Sequence, residues 1–359
     1  MLTGNKGEWS EIYTLFKLLG DKQLHPGDEN LEKLQEVVYP ILKILRSESN
    51  GNFEYSIQDD LVIISESEEL ARIPIHEFKS KAETLLNLIK GSSSSTFSSP
   101  PIEEFMERIG CLSIKASSTV KSDITIVIHD ARTGEQPTLG FSIKSQLGNP
   151  STLLNAGKTT NFVYKITGAT FSEAEVTKIN EISTKSKIMD RIKAIIDKSG
   201  SFSFVSTEKS IFGNNLVLID SLLPEILSKV VLNFYSGNSN KVNELVENIQ
   251  ESNPLAFDVS NEHKFYSYKV KRFLTDVALG MMPSKVWTGE YDSTGGYLIV
   301  KSDGEILCYH LYDRNVFEEY LINNTKLETA SSTRHEFGTL YEENGEYFFK
   351  LNLQIRFIK

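Results

Sequence analysis

The feature that most constrains this fold is a pair of strand-like segments near the middle of the chain. Ile124–Ile128 consists entirely of β-branched residues, which is typical of a strand. Residues 139–145 form a second candidate, and the turn-rich sequence Arg-Thr-Gly-Glu-Gln-Pro before it predicts a hairpin. A short third strand is expected at residues 112–116, with helical segments before and after. This order predicts an α+β (mixed α/β) fold in which helices flank a mixed sheet.

Helical spacing is clearest near the N-terminus. Apolar residues at positions 9, 12, 15, 16 and 19 predict a first helix that ends at Gly20-Asp21. A second helix is predicted over residues 30–45, with a kink or break at Pro40. The other elements predicted before the central strands are a hairpin (53–57 with 61–65), a helix (77–89), a serine-rich linker or exposed loop (91–101) and a short helix (102–109).

The remainder of the chain is predicted to be helical and then β-rich. Two hairpins are expected near its end, around Asp303-Gly304 and Asn344-Gly345, because Asp-Gly and Asn-Gly favour tight turns. The other predicted elements are helices at 173–183, 186–198, 222–235, 240–249, 264–279 and 315–323, and a strand at 202–205.

Charge and cysteine content limit the classes of partner and compartment. The net charge is −10, yet residues 136–172 contain no Asp or Glu, which favours a phosphate-contacting surface there. A chance gap in composition is the alternative. Cys111 and Cys308 cannot form a zinc site alone and are predicted to be buried free thiols. No apolar run approaches 18 residues and no signal region opens the chain, which predicts a soluble, cytoplasmic protein.

Several common catalytic motifs are incomplete or absent in this sequence. Gly157-Lys158-Thr159 resembles the end of a nucleotide-binding loop, but Thr152 stands where that loop needs a glycine. The six histidines lack metal-ligand spacing, and no Gly-x-Ser-x-Gly turn occurs. A methyltransferase is disfavoured because no glycine-rich cofactor turn follows a strand.

One constellation remains, on the predicted central hairpin. Asp123 opens the first strand, and alternation places Ser142, Lys144 and Gln146 on one face of the second. Metal-dependent nucleases use such an acid to hold a hard cation that activates water, and such a lysine to stabilise charge at the phosphate. An ordinary surface ion pair is the alternative.

Five sequence segments, in their order along the chain, strengthen the nuclease interpretation. They are Gly4-Asn5-Lys6-Gly7-Glu8-Trp9-Ser10-Glu11, Lys121-Ser122-Asp123-Ile124, Gly140-Phe141-Ser142-Ile143-Lys144-Ser145, Thr152-Leu-Leu-Asn-Ala156 and Arg334-His335-Glu336-Phe337-Gly338. Together they resemble restriction endonucleases of the PD-(D/E)XK superfamily, of the HpaII type, over nearly the whole chain. The resemblance implies a type II restriction enzyme that cuts double-stranded DNA at CCGG with Mg²⁺. It also implies a cognate DNA methyltransferase as functional partner and allows a homodimer on DNA.

The chain departs from the superfamily pattern at Ser142, where a second carboxylate is expected. The first helix is a candidate source, because Glu8 and Glu11 lie three apart and share a helical face. Trp9, Ile12 and Phe16 would hold that helix against the sheet. The alternative is that both glutamates merely favour the helix N-terminus. Ser142 also leaves open a DNA-binding protein with a decayed nuclease core.

The residue assignments follow from this resemblance. The predicted catalytic residues are Asp123, Lys144, Glu8, Glu11 and Gln146, with metal held by Asp123, Glu8 and Glu11. The predicted DNA contacts are Lys121, Ser145, Asn155, Lys158, Asn161, Arg334 and His335. Arg334 is expected to read guanine, with a phosphate or a carboxylate as the alternative partner. Residues 1–200 are expected to form the nuclease core with its N-terminal helices, and residues 201–359 the DNA-recognition region.

Overall fold

The chain folds into two compact units. A computed structural model describes residues 1–115, 122–291 and 294–358. Unit 1 comprises residues 1–151 and 291–320, and unit 2 comprises residues 152–290 and 321–358. The division between the compact units lies near residue 151, and a later segment returns to the first unit. The expected functional parts, residues 1–200 as nuclease core and residues 201–359 as DNA-recognition region, stay predictions.

Unit 1 is built around strands. Its strands are β1 (Gly4–Asn5), β2 (Gln23–Pro26), β3 (Tyr39–Glu48), β4 (Gly51–Gln58), β5 (Leu61–Ser65), β6 (Glu69–Pro74), β7 (Thr96–Phe97), β8 (Ile124–Ile128), β9 (Thr138–Ser145), β13 (Gly296–Val300) and β14 (Ile306–His310). Its helices are α1 (Lys6–Asp21), α2 (Ile75–Gly91), α3 (Pro100–Arg108) and the first part of α10 (Arg314–Asn323).

A nine-stranded mixed sheet dominates unit 1. The strand order is β2-β14-β13-β9-β8-β3-β4-β5-β6. The predicted β8–β9 hairpin is confirmed, with Ile124 opposite Phe141. On its other edge β9 pairs in parallel with β13, which places Tyr297 opposite Ser142 and Ile299 opposite Lys144. The mixed α/β class predicted from the sequence is thereby confirmed.

Helix α1 packs against this sheet through the predicted residues. Trp9, Ile12 and Phe16 have no exposed surface and belong to the core of unit 1. Phe16 makes edge-to-face contacts with Phe78 of α2 and Phe105 of α3, at 6.2 and 5.2 Å between ring centroids. The helix is therefore fixed on both sides, by the sheet and by its two neighbouring helices.

The prediction of a helix over residues 30–45 is wrong, since this region consists of an irregular segment followed by the start of the long strand β3. The register between β3 and β8 shifts between Ile41 and Lys43, as in a β-bulge. The bulge places the buried residues Ile41 and Ile44 three positions apart, a spacing that imitates a helix. Pro40 fits this strand, although it would disrupt a helix.

Two smaller predictions in unit 1 also need correction. Residues 112–115 form no strand, and Ala116 lies outside the described residues. The serine-rich segment 91–101 is more ordered than a linker, because it contains β7, which pairs with β1, and the first residues of α3.

Unit 2 contains most of the later helices. Its helices are α4 (Glu173–Asn180), α5 (Lys187–Ile196), α6 (Ser210–Ile219), α7 (Leu223–Tyr235), α8 (Val242–Ser252), α9 (Phe265–Leu279) and α11 (Ser332–His335), with a 3-10 turn at Lys158–Thr160 and the last part of α10. Its strands are β10 (Thr152–Leu154), β11 (Asn161–Thr167), β12 (Ser201–Thr207), β15 (Thr325–Leu327), β16 (Leu340–Glu343), β17 (Glu346–Asn352) and β18 (Ile355–Phe357).

These strands form two sheets, ordered β10-β18-β15 and β12-β11-β17-β16. The predicted strand at 202–205 and the hairpin around Asn344-Gly345 are confirmed as β12 and β16–β17, whereas β11 and α6 were missed.

Both cysteines are buried and free, as predicted. Burial raises the pKa of the Cys111 thiol to about 12, so this thiol stays protonated at neutral pH. Among the described residues, no helix has the length and apolar character needed to cross a membrane.

Candidate active site

Asp123 lies immediately before β8 and is held by β9. Its backbone N–H donates to the Phe141 carbonyl at 2.9 Å. Its carboxylate oxygen Oδ2 accepts from the backbone N–H of Ile143 at 2.6 Å and from the Ser142 hydroxyl at 3.1 Å. Ser142, which stands where a second acid is expected, therefore orients the carboxylate of Asp123.

Helix α1 meets β9 through a buried pair of serines. The hydroxyl oxygens of Ser10 and Ser145 lie 2.8 Å apart, and both side chains are buried. Glu11 and Lys144 are the chain neighbours of this pair. The charges of Asp123 and Glu11 both act on Lys144, and the charge of Asp123 acts on Glu11. The structure thus brings together a helix carboxylate, a strand carboxylate and a strand lysine.

The electrostatics of this cluster favour a neutral Glu11. Burial raises the pKa of Glu11 to about 8, with a further contribution from the negative charge of Asp123. Burial lowers the pKa of Lys144, while the charges of Asp123 and Glu11 oppose that decrease. Two carboxylates therefore compete for limited positive charge in a poorly solvated place, where a bound cation would relieve their repulsion.

Tyr297 is a neighbour of this cluster that sequence reasoning missed. The ammonium nitrogen of Lys144 lies 5.0 Å from the centroid of the Tyr297 ring, within cation–π distance. The ring is 2% exposed. Only the parallel pairing of β9 with β13 reveals this contact, because the two residues lie far apart in the chain and no local pattern links them.

Glu8 occupies a different place from Glu11. One of its carboxylate oxygens accepts from the backbone N–H of Asn5 at 2.8 Å, and Asn5 in turn caps the helix by accepting from Glu8 N–H. The other oxygen lies 3.3 Å from the ammonium of Lys115. The geometry matches the helix-terminus alternative for Glu8, which leaves Glu11 as the candidate metal ligand on this helix.

Other predicted residues of unit 1 make structural contacts. The Gln146 amide oxygen accepts from the backbone N–H of Ser302 at 3.2 Å, in the turn after β13. Ser145 is buried against Ser10, which argues against direct contact with DNA. Lys121, predicted to bind DNA, lies outside the described residues.

The predicted DNA contacts of unit 2 fall into exposed and buried groups. Asn155 and Arg334 are exposed. Asn161 has no exposed surface, and its amide donates to Glu208 and to the His335 carbonyl, which argues against direct DNA contact. This last bond places the His335 loop beside the start of β11.

Residues 136–172 contain no Asp or Glu, but in the folded protein two of their lysines lie beside glutamates from other parts of the chain. Lys158 is paired with Glu336, and Lys165 with Glu346. Both glutamates come from the last part of the chain. The two unit 2 lysines that suggested a phosphate-contacting surface are therefore neutralised locally, which weakens that interpretation for this surface.

The carboxylates of unit 1 fit a hard divalent cation. In the part of the chain that the structure describes, no three His, Cys, Asp or Glu side chains form a metal-holding group. Magnesium nevertheless binds through one or two carboxylates together with substrate phosphate and water. Asp123 and Glu11 are two such carboxylates. Burial raises the pKa of Glu11 to about 8, and the charge of Asp123 adds a repulsion that a divalent cation would offset.

Comparison with known proteins identifies the family of this chain. The family model for the HpaII restriction endonuclease matches residues 5–357. The type II restriction enzyme HpaII of Haemophilus parainfluenzae is 50% identical over 359 residues, which cover 99% of each chain. No solved structure matches this chain. Full-length similarity to an enzyme decides against the decayed-nuclease alternative. This chain therefore belongs to the HpaII restriction endonuclease family and is a type II restriction endonuclease, a site-specific deoxyribonuclease of a restriction–modification system.

Proposed function

We propose that this enzyme hydrolyses double-stranded DNA at CCGG with Mg²⁺, using Asp123, Glu11 and Lys144 as its catalytic centre. The convergence of these three side chains from α1, the start of β8 and the end of β9 supports the proposal. The β8–β9 hairpin carries Asp123 and Lys144 in the order of the PD-(D/E)XK pattern. In this proposal unit 1 is that nuclease core, and Glu11 replaces the acid absent at Ser142.

Each side chain has a distinct task in this centre. Asp123 and Glu11 would hold the metal, which when bound polarises the phosphodiester and lowers the pKa of a coordinated water. The Ser142 hydroxyl and the Ile143 N–H fix the orientation of Asp123. Lys144 directs positive charge at the scissile phosphate, where negative charge increases in the transition state. Glu11 must lose its proton before it can serve as a ligand.

Glu11→Gln tests the centre directly, because the amide keeps the shape and removes the charge. We expect single-turnover cleavage of a CCGG plasmid in Mg²⁺ to decrease by ~10² or more. Glu8→Gln is the matched control on the same helix, and its cleavage should stay within about threefold of wild type while its melting temperature falls slightly. A Glu11→Gln enzyme that cleaves at the wild-type rate would remove Glu11 from the centre.

The remaining parts of the proposal concern recognition and partners. Unit 2 would carry much of the DNA-recognition surface, with the exposed Arg334 reading guanine. The described residues of one chain contain one Asp123–Glu11–Lys144 centre, so cutting both strands of a palindrome calls for a second copy, as in a homodimer on DNA. A cognate methyltransferase would protect host sites, and the enzyme would act in the cytoplasm on entering DNA.

A further inference from the structure

Unit 2 contains a cleft of about 380 Å³ that no predicted site residue lines. Its walls are the start of α5 with the two residues before it, the end of α7, and the segment 329–333, which runs into the first turn of α11. Ile188 and Tyr235 contribute buried apolar surface, with Phe234 half-buried beside them. The cleft therefore has an apolar interior bounded by a polar segment, Thr-Ala-Ser-Ser-Thr, at 329–333.

The polar groups of this cleft are all suited to an anion. Lys185 and Lys187 contribute two ammonium groups, and Ser186 with the segment 329–333 contributes hydroxyls. No acidic residue lines the cleft within the described ranges. Cationic and hydroxyl donors without a competing carboxylate are the groups that contact phosphate oxygens in DNA complexes.

The lysines of this cleft differ from those that the sequence first suggested. Lys158 and Lys165 each have a glutamate partner in the fold. Among residues 1–115, 122–291 and 294–358, no ion pair involves Lys185 or Lys187, and the lining of the cleft contains no carboxylate. Their charges are thus available to an external anion, whereas the earlier candidates are already paired.

We propose that this cleft binds the sugar–phosphate backbone of DNA. Phosphodiester oxygens would contact Lys185, Lys187 and the hydroxyls of the segment 329–333, and the deoxyribose would pack on Phe234. The segment 329–333 includes the first two residues of α11, which also carries Arg334, so backbone binding here would fix the position of Arg334 on the duplex. The inference depends on DNA binding, which family membership establishes, and not on the catalytic centre.

The test is the salt dependence of DNA binding without divalent metal, so that no cleavage occurs. The variant is Lys185→Ala combined with Lys187→Ala. Each lost phosphate contact should reduce the slope of log K against log salt by about 0.9, giving a decrease of about 1.8. Because phosphate contacts carry no sequence information, a CCGG duplex and an unrelated duplex should lose affinity by the same factor.

The matched control combines Lys178→Ala with Lys193→Ala, two exposed lysines of α4 and α5 outside the cleft. It removes the same charge and should change the slope by less than about 0.5. An unchanged slope in the cleft variant, an equal effect in the control, or a loss confined to the CCGG duplex would each overturn the proposal. Because binding is measured without divalent metal, the slope does not depend on the catalytic centre, and failure of that centre would leave this result unchanged.

Discussion

At the scale of single residues, Lys144 depends on its surroundings to keep its charge. Burial lowers its pKa, while Asp123, Glu11 and the ring of Tyr297 favour the protonated form. Tyr297→Phe keeps the ring, so we expect a cleavage rate within about threefold of wild type. Tyr297→Leu removes the π-face, worth ~1–2 kcal/mol for a desolvated cation, which corresponds to a decrease of about 5- to 30-fold.

The pH–rate profile separates this role from simple packing. In Tyr297→Leu the pKa of Lys144 should fall further, which moves the alkaline limb of the single-turnover rate to lower pH. Melting temperatures of both variants show whether the fold is intact. If Phe and Leu impair cleavage equally with unshifted profiles, the hydroxyl or the packing matters and the cation–π contact does not.

At the scale of elements, α1 supplies the carboxylate that β9 lacks. The Ser10–Ser145 contact fixes α1 on β9, so Glu11 reaches the face on which Ser142 stands in place of an acid. We therefore expect that adding Ser142→Glu to the Glu11→Gln enzyme raises its cleavage rate at least about tenfold above that of Glu11→Gln alone. Ser142→Gln in the same background is the isosteric control. Equal rates in these two double variants would show that a carboxylate on β9 cannot replace the one on α1.

The elements also show how far sequence reasoning reaches. The β8–β9 hairpin and α1 were predictable because their periodicities of two and about 3.6 are undisturbed. β3 was not, since its bulge places Ile41 and Ile44 at helical spacing. Glu8 and Glu11 could not be distinguished from sequence, because capping by Asn5 and proximity to Asp123 are both facts of three-dimensional placement. The ion pairs of Lys158 and Lys165 could not be predicted for the same reason, because their glutamate partners are distant in the chain.

At the scale of the whole molecule, Glu11 couples stability to pH and to metal. Its pKa is about 8 in the folded protein against 4.5 as the ordinary value, so the folded state holds a proton that the unfolded chain releases. The stability that this group contributes is fully present below about pH 4.5 and is lost as pH rises through about 8. Glu11→Gln cannot ionise and avoids this loss.

We therefore expect metal-free Glu11→Gln to be more stable than wild type at pH 8, by at least about 1 kcal/mol after allowance for partial exposure. The difference should shrink as pH decreases toward 5, as measured by urea unfolding at each pH. Mg²⁺ should reverse the order at pH 8, because the cation offsets the repulsion between Glu11 and Asp123 in wild type and finds one carboxylate fewer in the variant. A difference independent of pH, or unaffected by Mg²⁺, would mean that Glu11 and Asp123 do not share a cation.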